Sequence, residues 1–499
     1  MRLASCMLIG VLVAFAGVAR AGQDEGTLTI GAKSFTESAI LGHMLRELAE
    51  AGGARATLKT FPGSSVAYAA LVAGEIDAYP EYTGTLKREL LSDLEIESDD
   101  ELRRALSERG LAMSEPIGFN NTYAIGTTRE LATRLGLVRV SDLASQPDLR
   151  LAFSTEFMNR GDGWPGLRAA YGLENDARGI EHSLAYRALA TGAIDVTDLY
   201  STDAQIAAMD LVVLEDDRGY FPRYDAVVLC RADLAERHPA ALASMLRLEG
   251  RIDEAAMQRF NERAEIGEAG ERVEPAIVGA DAVNELFGLD ATAQVDSLWR
   301  RVLARTREHL VLVGVSMAFA IVVALPLGVM AARSRAAAGP ILGATGILQT
   351  IPAIALLVLL IGPFGIGAGT AIIALLLYSL LPIVRNTHAG LTGIPGDLIE
   401  SAEAIGLSAR DRLMLVELPL ALPMILAGIK TAVVINVGTA TLGGFISAGG
   451  YGQPIFTGIT QNNFDKILEG AAPAAVMAIC AQLVFDGLER LVVPRGLRL

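Results

Sequence analysis

A chain of 499 residues has room for about three domains, and its mean hydropathy of +0.39 reflects apolar residues crowded into the C-terminal two-fifths, while residues 22–300 read as a soluble acidic protein. A net charge of −15 without blocks of like charge excludes nucleic acid as a partner. Cys6, Cys230 and Cys480 leave no soluble pair for a disulfide framework. His43, His182, His238, His309 and His388 lack zinc-ligand spacing, so neither metal nor cofactor is expected.

Residues 1–21 read as a secretory signal. Arg2 gives a short positive region, Met7 to Val18 an apolar core, and Ala19-Arg20-Ala21 an A-x-A-type cleavage site. No apolar core precedes Cys6 in its LASC context, so lipidation is not expected. An uncleaved signal anchor is the alternative, and the core is short for a span.

Strand-like and helix-like segments then alternate. Leu28 to Gly31 is a short β run, and Ile40, Leu41, Met44, Leu45 and Leu48 mark one helix face over Ser34 to Ala51. Ala56 to Phe61, a helix from Ser64 to Ala73 and Ile76 to Tyr79 continue the rhythm. A charged helix at Asp99 to Arg109 leads to Tyr123 to Gly126. The pattern restarts with Leu149 to Phe153, a helix near Trp164 to Tyr171 and Ile194 to Leu199. Leu211 to Leu214 and Ala226 to Cys230 return toward the first half. Such alternation predicts α/β architecture with parallel sheets, in two lobes joined near residues 120–130 and 210–225 around a cleft.

The segments IGAKSFTESAILGHML, YPEYTGT, GFNNTYAIG, FMNRGDGWPGL, DLYSTDAQI and GYFPRYDAVVL resemble solute-binding proteins for glycine betaine, choline and related osmoprotectants, over nearly all of residues 27–288. The resemblance implies a two-lobed periplasmic-binding-protein fold, a type II-like clamshell, spanning residues 22–292. It also implies a cage of Tyr82, Tyr123, Tyr200 and Tyr224 around a trimethylammonium head, with Lys33, Arg160 and Thr85 facing a carboxylate. Tyr220 competes with Tyr224 for the last place, and Asn121 stands where some relatives carry an acidic residue. The chemistry agrees. A quaternary ammonium has no hydrogen to donate and is recognised by ring faces, at about 0.5–2 kcal/mol per contact. A carboxylate suits a guanidinium fork or an ammonium. Read singly, each tyrosine is equally a packed ring with its hydroxyl bonded.

After a connector at 293–307, five apolar runs follow: Leu310 to Ala332, Ile341 to Ile361, Gly367 to Val384, Leu420 to Phe445 and Ala471 to Phe485. They predict an all-α bundle of about five transmembrane helices within residues 308–499, with Pro326, Pro352 and Pro382 inside it. An exported N-terminal domain places Arg333, Arg335, Arg385, Arg410, Arg412 and Arg490 on the cytoplasmic side, in keeping with the positive-inside tendency. Arg300, Arg301, Arg305 and Arg307 fall outside and read as an amphipathic connector near the lipid headgroups. Lys430, within a span, reads as a snorkelling lysine. Asn436, Thr439 and Thr441 either line a pathway or bond between helices.

LQTIPAIALLVLL, ALLLYSLLPIVRNTHAGL and INVGTATLGGFISAGGYG resemble the permeases of the same osmoprotectant importers, over about residues 308–490. Between the third and fourth runs lies the polar stretch ESAEAIGLSARDRLMLVELPLALP. In it Glu400, Ala402, Gly406, Leu418 and Pro419 are spaced E-x-A-x3-G-x11-L-P, like the coupling loop that an ATP-binding cassette (ABC) ATPase grips. Ser401 stands where that family usually has alanine. Gly406 suits a left-handed helix end and Pro419 cannot continue a helix, so two short helices at a bend near 397–419 are expected.

No G-x4-G-K-[ST] phosphate loop is present, so ATP hydrolysis falls to a separate cytoplasmic subunit. The reading is thus a fused solute-binding protein and permease of an ABC importer for a quaternary ammonium solute. Its expected partners are the ATPase, a second copy of the chain and membrane lipid. A ligand-gated channel or sensor with a clamshell domain is the alternative. It has no need of a coupling loop and would want a re-entrant selectivity segment. A secreted enzyme with an anchor fails for lack of a nucleophile–base pair.

Overall fold

The computed structural model describes residues 26–161, 163–267, 271–293, 295–461 and 463–493, so the signal segment lies outside the described residues. The chain divides into two compact units between Val295 and Asp296.

The first unit holds two five-stranded sheets. One contains β1 (Thr27–Lys33), β2 (Arg55–Phe61), β3 (Ala78–Tyr82), β4 (Leu111–Met113) and β10 (Ala226–Arg231), in the order β2-β1-β3-β10-β4. The other contains β5 (Tyr123–Thr128), β6 (Leu151–Ser154), β7 (Ala177–Ile180), β8 (Val196–Tyr200) and β9 (Leu211–Leu214), in the order β7-β6-β8-β5-β9. The sheets are mixed rather than parallel. β10 runs antiparallel to β3 and β4, and β5 antiparallel to β8 and β9. Both exceptions are the first strand after a crossing between lobes. No helix intervenes to turn the chain back, so the rule that makes βαβ units parallel does not apply to them.

The two crossings pair with each other. Asn120 bridges Asp225, the Asn121 amide donates to the Tyr224 carbonyl at 3.1 Å, and the Ala226 amide donates to Phe119 at 3.1 Å. Helix α1 (Thr36–Ala51) lays Ile40, Leu41, Met44, Leu45 and Leu48 on the first sheet, all fully buried, as the helical spacing predicts. Gly42 lets it approach closely, since a Cβ there would sit 2.7 Å from that of Ala32. Helices α2 (Glu254–Glu265) and α3 (Pro275–Phe287) return to cover α1.

The second unit is helical. Helix α4 (Leu298–Arg333) runs unbroken through most of the expected connector into the first span, and Arg301 makes a two-pronged ion pair with Glu469 at 2.9 and 2.8 Å. The second apolar run is not one helix. α5 (Arg335–Thr350) and α6 (Ala353–Phe364) meet at 99°. Pro352 brings no amide to a helix and drives Ile351 into an extended conformation, and the Tyr378 hydroxyl donates to the Ile351 carbonyl that the break frees. α7 (Ala368–Thr392), α9 (Leu418–Thr439) and α10 (Phe464–Val492) complete the bundle. Among the described residues four helices are long and apolar enough to cross a membrane, or five if the bent pair is one span.

The polar stretch forms α8 (Gly396–Ala404), which Gly406 ends at φ +85°, and a short helix, Ala409–Arg412, capped by Ser408. Pro419 does not stop the chain from coiling. A π-type turn at Leu413–Glu417 leads directly into α9, so the coil passes through Pro419 with a local change of pitch just before it.

Candidate functional site

Tyr123 and Tyr200 are register partners on β5 and β8. Their rings lie 4.9 Å apart, and the Tyr200 hydroxyl donates to that of Tyr123 at 3.3 Å. Phe157 closes one side of Tyr123 at 5.0 Å. Arg160, just past the short helix Thr155–Asn159, holds its guanidinium 5.6 Å from the Tyr123 ring centroid and donates to the Tyr224 hydroxyl at 2.8 Å. It thus joins the second lobe to the returning crossing. Tyr224 lies against Gly84, where a Cβ would come within 2.3 Å of the ring; only glycine leaves that space. Arg160 also pairs with Glu156 at 3.4 Å.

Tyr82 ends β3 in the first lobe, nearly buried, and donates to the Glu37 carboxylate. Asn121 donates to the same carboxylate at 2.8 Å and Asn261 at 3.0 Å. Lys33 sits 4.5 Å from the Tyr82 ring centroid, its ammonium in a buried ion pair with Glu81. Thr85 is half-buried in the turn after Tyr82. The sequence-predicted residues therefore fall into two sets. One is Tyr123, Tyr200, Arg160 and Tyr224; the other is Tyr82, Lys33 and Asn121. They adjoin where the Asn121 amide meets the Tyr224 carbonyl.

Burial pushes the Glu37 carboxyl above its usual range, against the hydrogen bonds from Thr202, Tyr82, Asn261 and Asn121. Burial likewise raises the phenols of Tyr82, Tyr123 and Tyr200, so all three are neutral donors at physiological pH. His182, 5.0 Å from the Tyr200 ring, lies between Asp198 and Asp203. Burial alone would depress it, but those two carboxylates prevail and raise it to about 10. Sequence reasoning missed Glu37, Glu81, Phe157 and His182. Glu37 had left a signal, because it occupies the apolar stripe of α1.

In the helical unit, Glu400 and Gly406 are exposed, Ala402 is buried, and Leu418 packs against Leu391, Ala421 and Ile425. Pro419 is exposed. Ile405 and Leu415, in the same polar stretch, stand 78% and 67% exposed. Lys430 does not snorkel alone; it pairs with Asp486 on α10. Asn436 donates to Ser316 at 3.1 Å, a bond between helices.

A two-lobed binding domain joined to a helical bundle with a charged loop defines a binding-protein-dependent transport component with both parts in one polypeptide. Residues 26–276 match the family described as the substrate binding domain of ABC-type glycine betaine transport systems. Residues 324–497 match the binding-protein-dependent transport system inner membrane component. The chain belongs to these families. It is a multi-pass inner membrane protein with its N-terminal binding domain outside the cytoplasm, an importer subunit that works with a separate ATPase on a small-molecule solute.

The glycine betaine/carnitine/choline transport system permease protein OpuCB of Bacillus subtilis is 41% identical over 197 residues, 40% of this chain and 91% of that protein. The osmoprotectant import permease protein OsmW of Salmonella typhimurium is 41% identical over 198 residues, 39% of this chain and 92% of its own length. A crystal structure of a glycine betaine/carnitine/choline ABC transporter is 35% identical over 52% of this chain and 98% of its own, with a TM-score of 0.47.

Proposed function

We propose that this chain captures a quaternary ammonium compatible solute, of the class of glycine betaine, choline or carnitine, and passes it inward. The observation that carries the reading is the facing pair Tyr123 and Tyr200, with Arg160 bound to Tyr224 beside it. Ring faces there suit a trimethylammonium head, and a guanidinium within reach suits a carboxylate. OpuCB, named for these three solutes, and OsmW, named for osmoprotectants, support the same class. Tyr82 and Tyr224 complete the cage, Asn121 lines it, and Thr85 joins Arg160 at the carboxylate. Lys33 reaches that carboxylate only by sharing its ammonium with Glu81.

Residues 1–21 are removed on export, 22–292 form the capture domain, 293–307 connect it, and 308–499 form the permease. Solute closes the lobes, and the closed domain docks on the permease. ATP-driven movement of the loop carrying Glu400, Ala402, Gly406, Leu418 and Pro419 then opens the pathway. With at most five candidate spans among the described residues of one chain, two copies in contact with membrane lipid make one pore.

Radiolabelled glycine betaine and choline, titrated onto the full-length chain in lipid nanodiscs beside Tyr82→Ala and Arg160→Ala, test the reading. Betaine binding weakened by both substitutions supports cage and clamp together. Choline binding that survives Arg160→Ala keeps the cage and removes the carboxylate from the ligand. Binding of neither leaves the importer architecture standing and overturns the solute assignment.

A further inference from the structure

Glu37 is 3% exposed, and among the described residues four side chains donate hydrogen bonds to its carboxylate. Tyr82 and Asn121 donate to one oxygen, Asn261 donates to the other, and the Thr202 side chain adds a further bond. An ionised carboxylate is acceptor-only with about four lone-pair sites, so acceptor and donors match in number and kind. The donors come from four places that solute capture has to coordinate. Tyr82 ends β3 in the first lobe, and Asn121 lies on the outgoing crossing beside Tyr224. Thr202 follows Tyr200 by two residues in the second lobe. Asn261 lies on α2 and also donates to the Thr202 carbonyl at 3.0 Å.

The bond to Tyr82 does more than orient the ring. A phenol that donates to an anion is polarised, and its ring face becomes more attractive to a cation. The negative charge of the carboxylate itself acts in the same direction.

We propose that Glu37 is a positioning and specificity residue of the solute site. Acting through Tyr82 and Thr202, it aligns tyrosines of both lobes and favours a cationic head group. The proposal rests on the tyrosine cluster being the solute site. An amide at this position keeps the size but offers its own N–H groups to donors, so at least one of the four contacts is lost.

The test is equilibrium binding of glycine betaine and of choline to the full-length chain in nanodiscs, comparing wild type, Glu37→Gln, Tyr82→Phe and the double variant. Both single substitutions are expected to weaken both ligands, each by about ten-fold. The double variant is expected to be no weaker than the weaker single one, because the Tyr82–Glu37 bond is already impaired in each single variant. Additive losses overturn the proposal, since they mean that Glu37 does not act through Tyr82. Wild-type affinity in Glu37→Gln overturns it as well. If Glu37→Gln does not fold, wild-type affinity in Tyr82→Phe overturns it alone and a ten-fold loss there supports it. A wild-type chain that binds neither ligand overturns the solute assignment and the proposal with it. Tight wild-type binding unmoved by the substitutions overturns only the proposal.

Discussion

Arg333, the last residue of α4, donates to Glu417 at 2.9 Å, so the end of the first span and the coupling segment share one nearly buried carboxylate. Arg412 donates to the other oxygen at 2.7 Å and also reaches Glu403 on the exposed side of α8. The result is a line of alternating charge from the loop surface to the bundle.

Glu417→Gln is expected to leave Arg333 and Arg412 without a shared counter-charge, at about 1–3 kcal/mol of stability. Solute binding stays as in wild type, while uptake into proteoliposomes with the partner ATPase falls. Uptake equal to wild type would show that this carboxylate does not carry the movement.

Gly84→Ala puts a methyl group 2.3 Å from the nearest Tyr224 ring carbon. The ring has to swing away and release Arg160, so glycine betaine affinity is expected to fall at least about ten-fold, one lost charged hydrogen bond. Titration of the full-length variant in nanodiscs reads it out, and unaltered affinity would remove Tyr224 from the site.

Alkaline pH tests His182. Its folded pKa, about 10, stands above the ordinary 6.5, so its contribution to stability is complete below pH 6.5 and is lost as pH rises through 10. The wild-type melting temperature is expected to fall between pH 7 and pH 10 by more than that of His182→Gln. Parallel curves would mean that Asp198 and Asp203 do not hold an imidazolium.

Lys430 and Asp486 pair between two spans. Lys430→Met leaves a carboxylate without its partner in an apolar bundle and is expected to cut folded yield. Lys430→Met combined with Asp486→Leu is expected to recover it, since losing both charges is milder than stranding one. Detergent-solubilised yield and melting temperature decide. No recovery in the double variant would mean the pair has a role beyond neutralising itself.

How much of this could be read from the chain depended on whether the determining contact was local. The stripe from Ile40 to Leu48 placed α1 because helix periodicity is a neighbour-to-neighbour property, and Gly406 marked the end of α8 for the same reason. The strand directions of β5 and β10 were misread because alternation records the kind of element and not its heading. The fold at Ile351 was hidden inside one apolar run, for hydropathy is blind to direction, although Pro352 stood at the break. The tyrosines came from motif likeness, yet the bonds that hold them came only from the structure. Glu81 is 48 residues from Lys33, and Asp486 is 56 from Lys430. Pairings across such distances leave no trace in spacing.

The paired crossings at Asn120 and Asp225 make the connection between lobes a two-stranded ribbon held by backbone bonds. A ribbon of that kind resists stretching and shear but yields readily to torsion. The lobes are therefore expected to turn about it more than they slide, with displacement growing in proportion to distance from its axis. Backbone displacement at the crossings is expected to be small during capture, whereas a probe pair at the outer rims of the two sheets is expected to report the largest change in distance. The fold thus specifies where an optical reporter of solute in this protein should be placed.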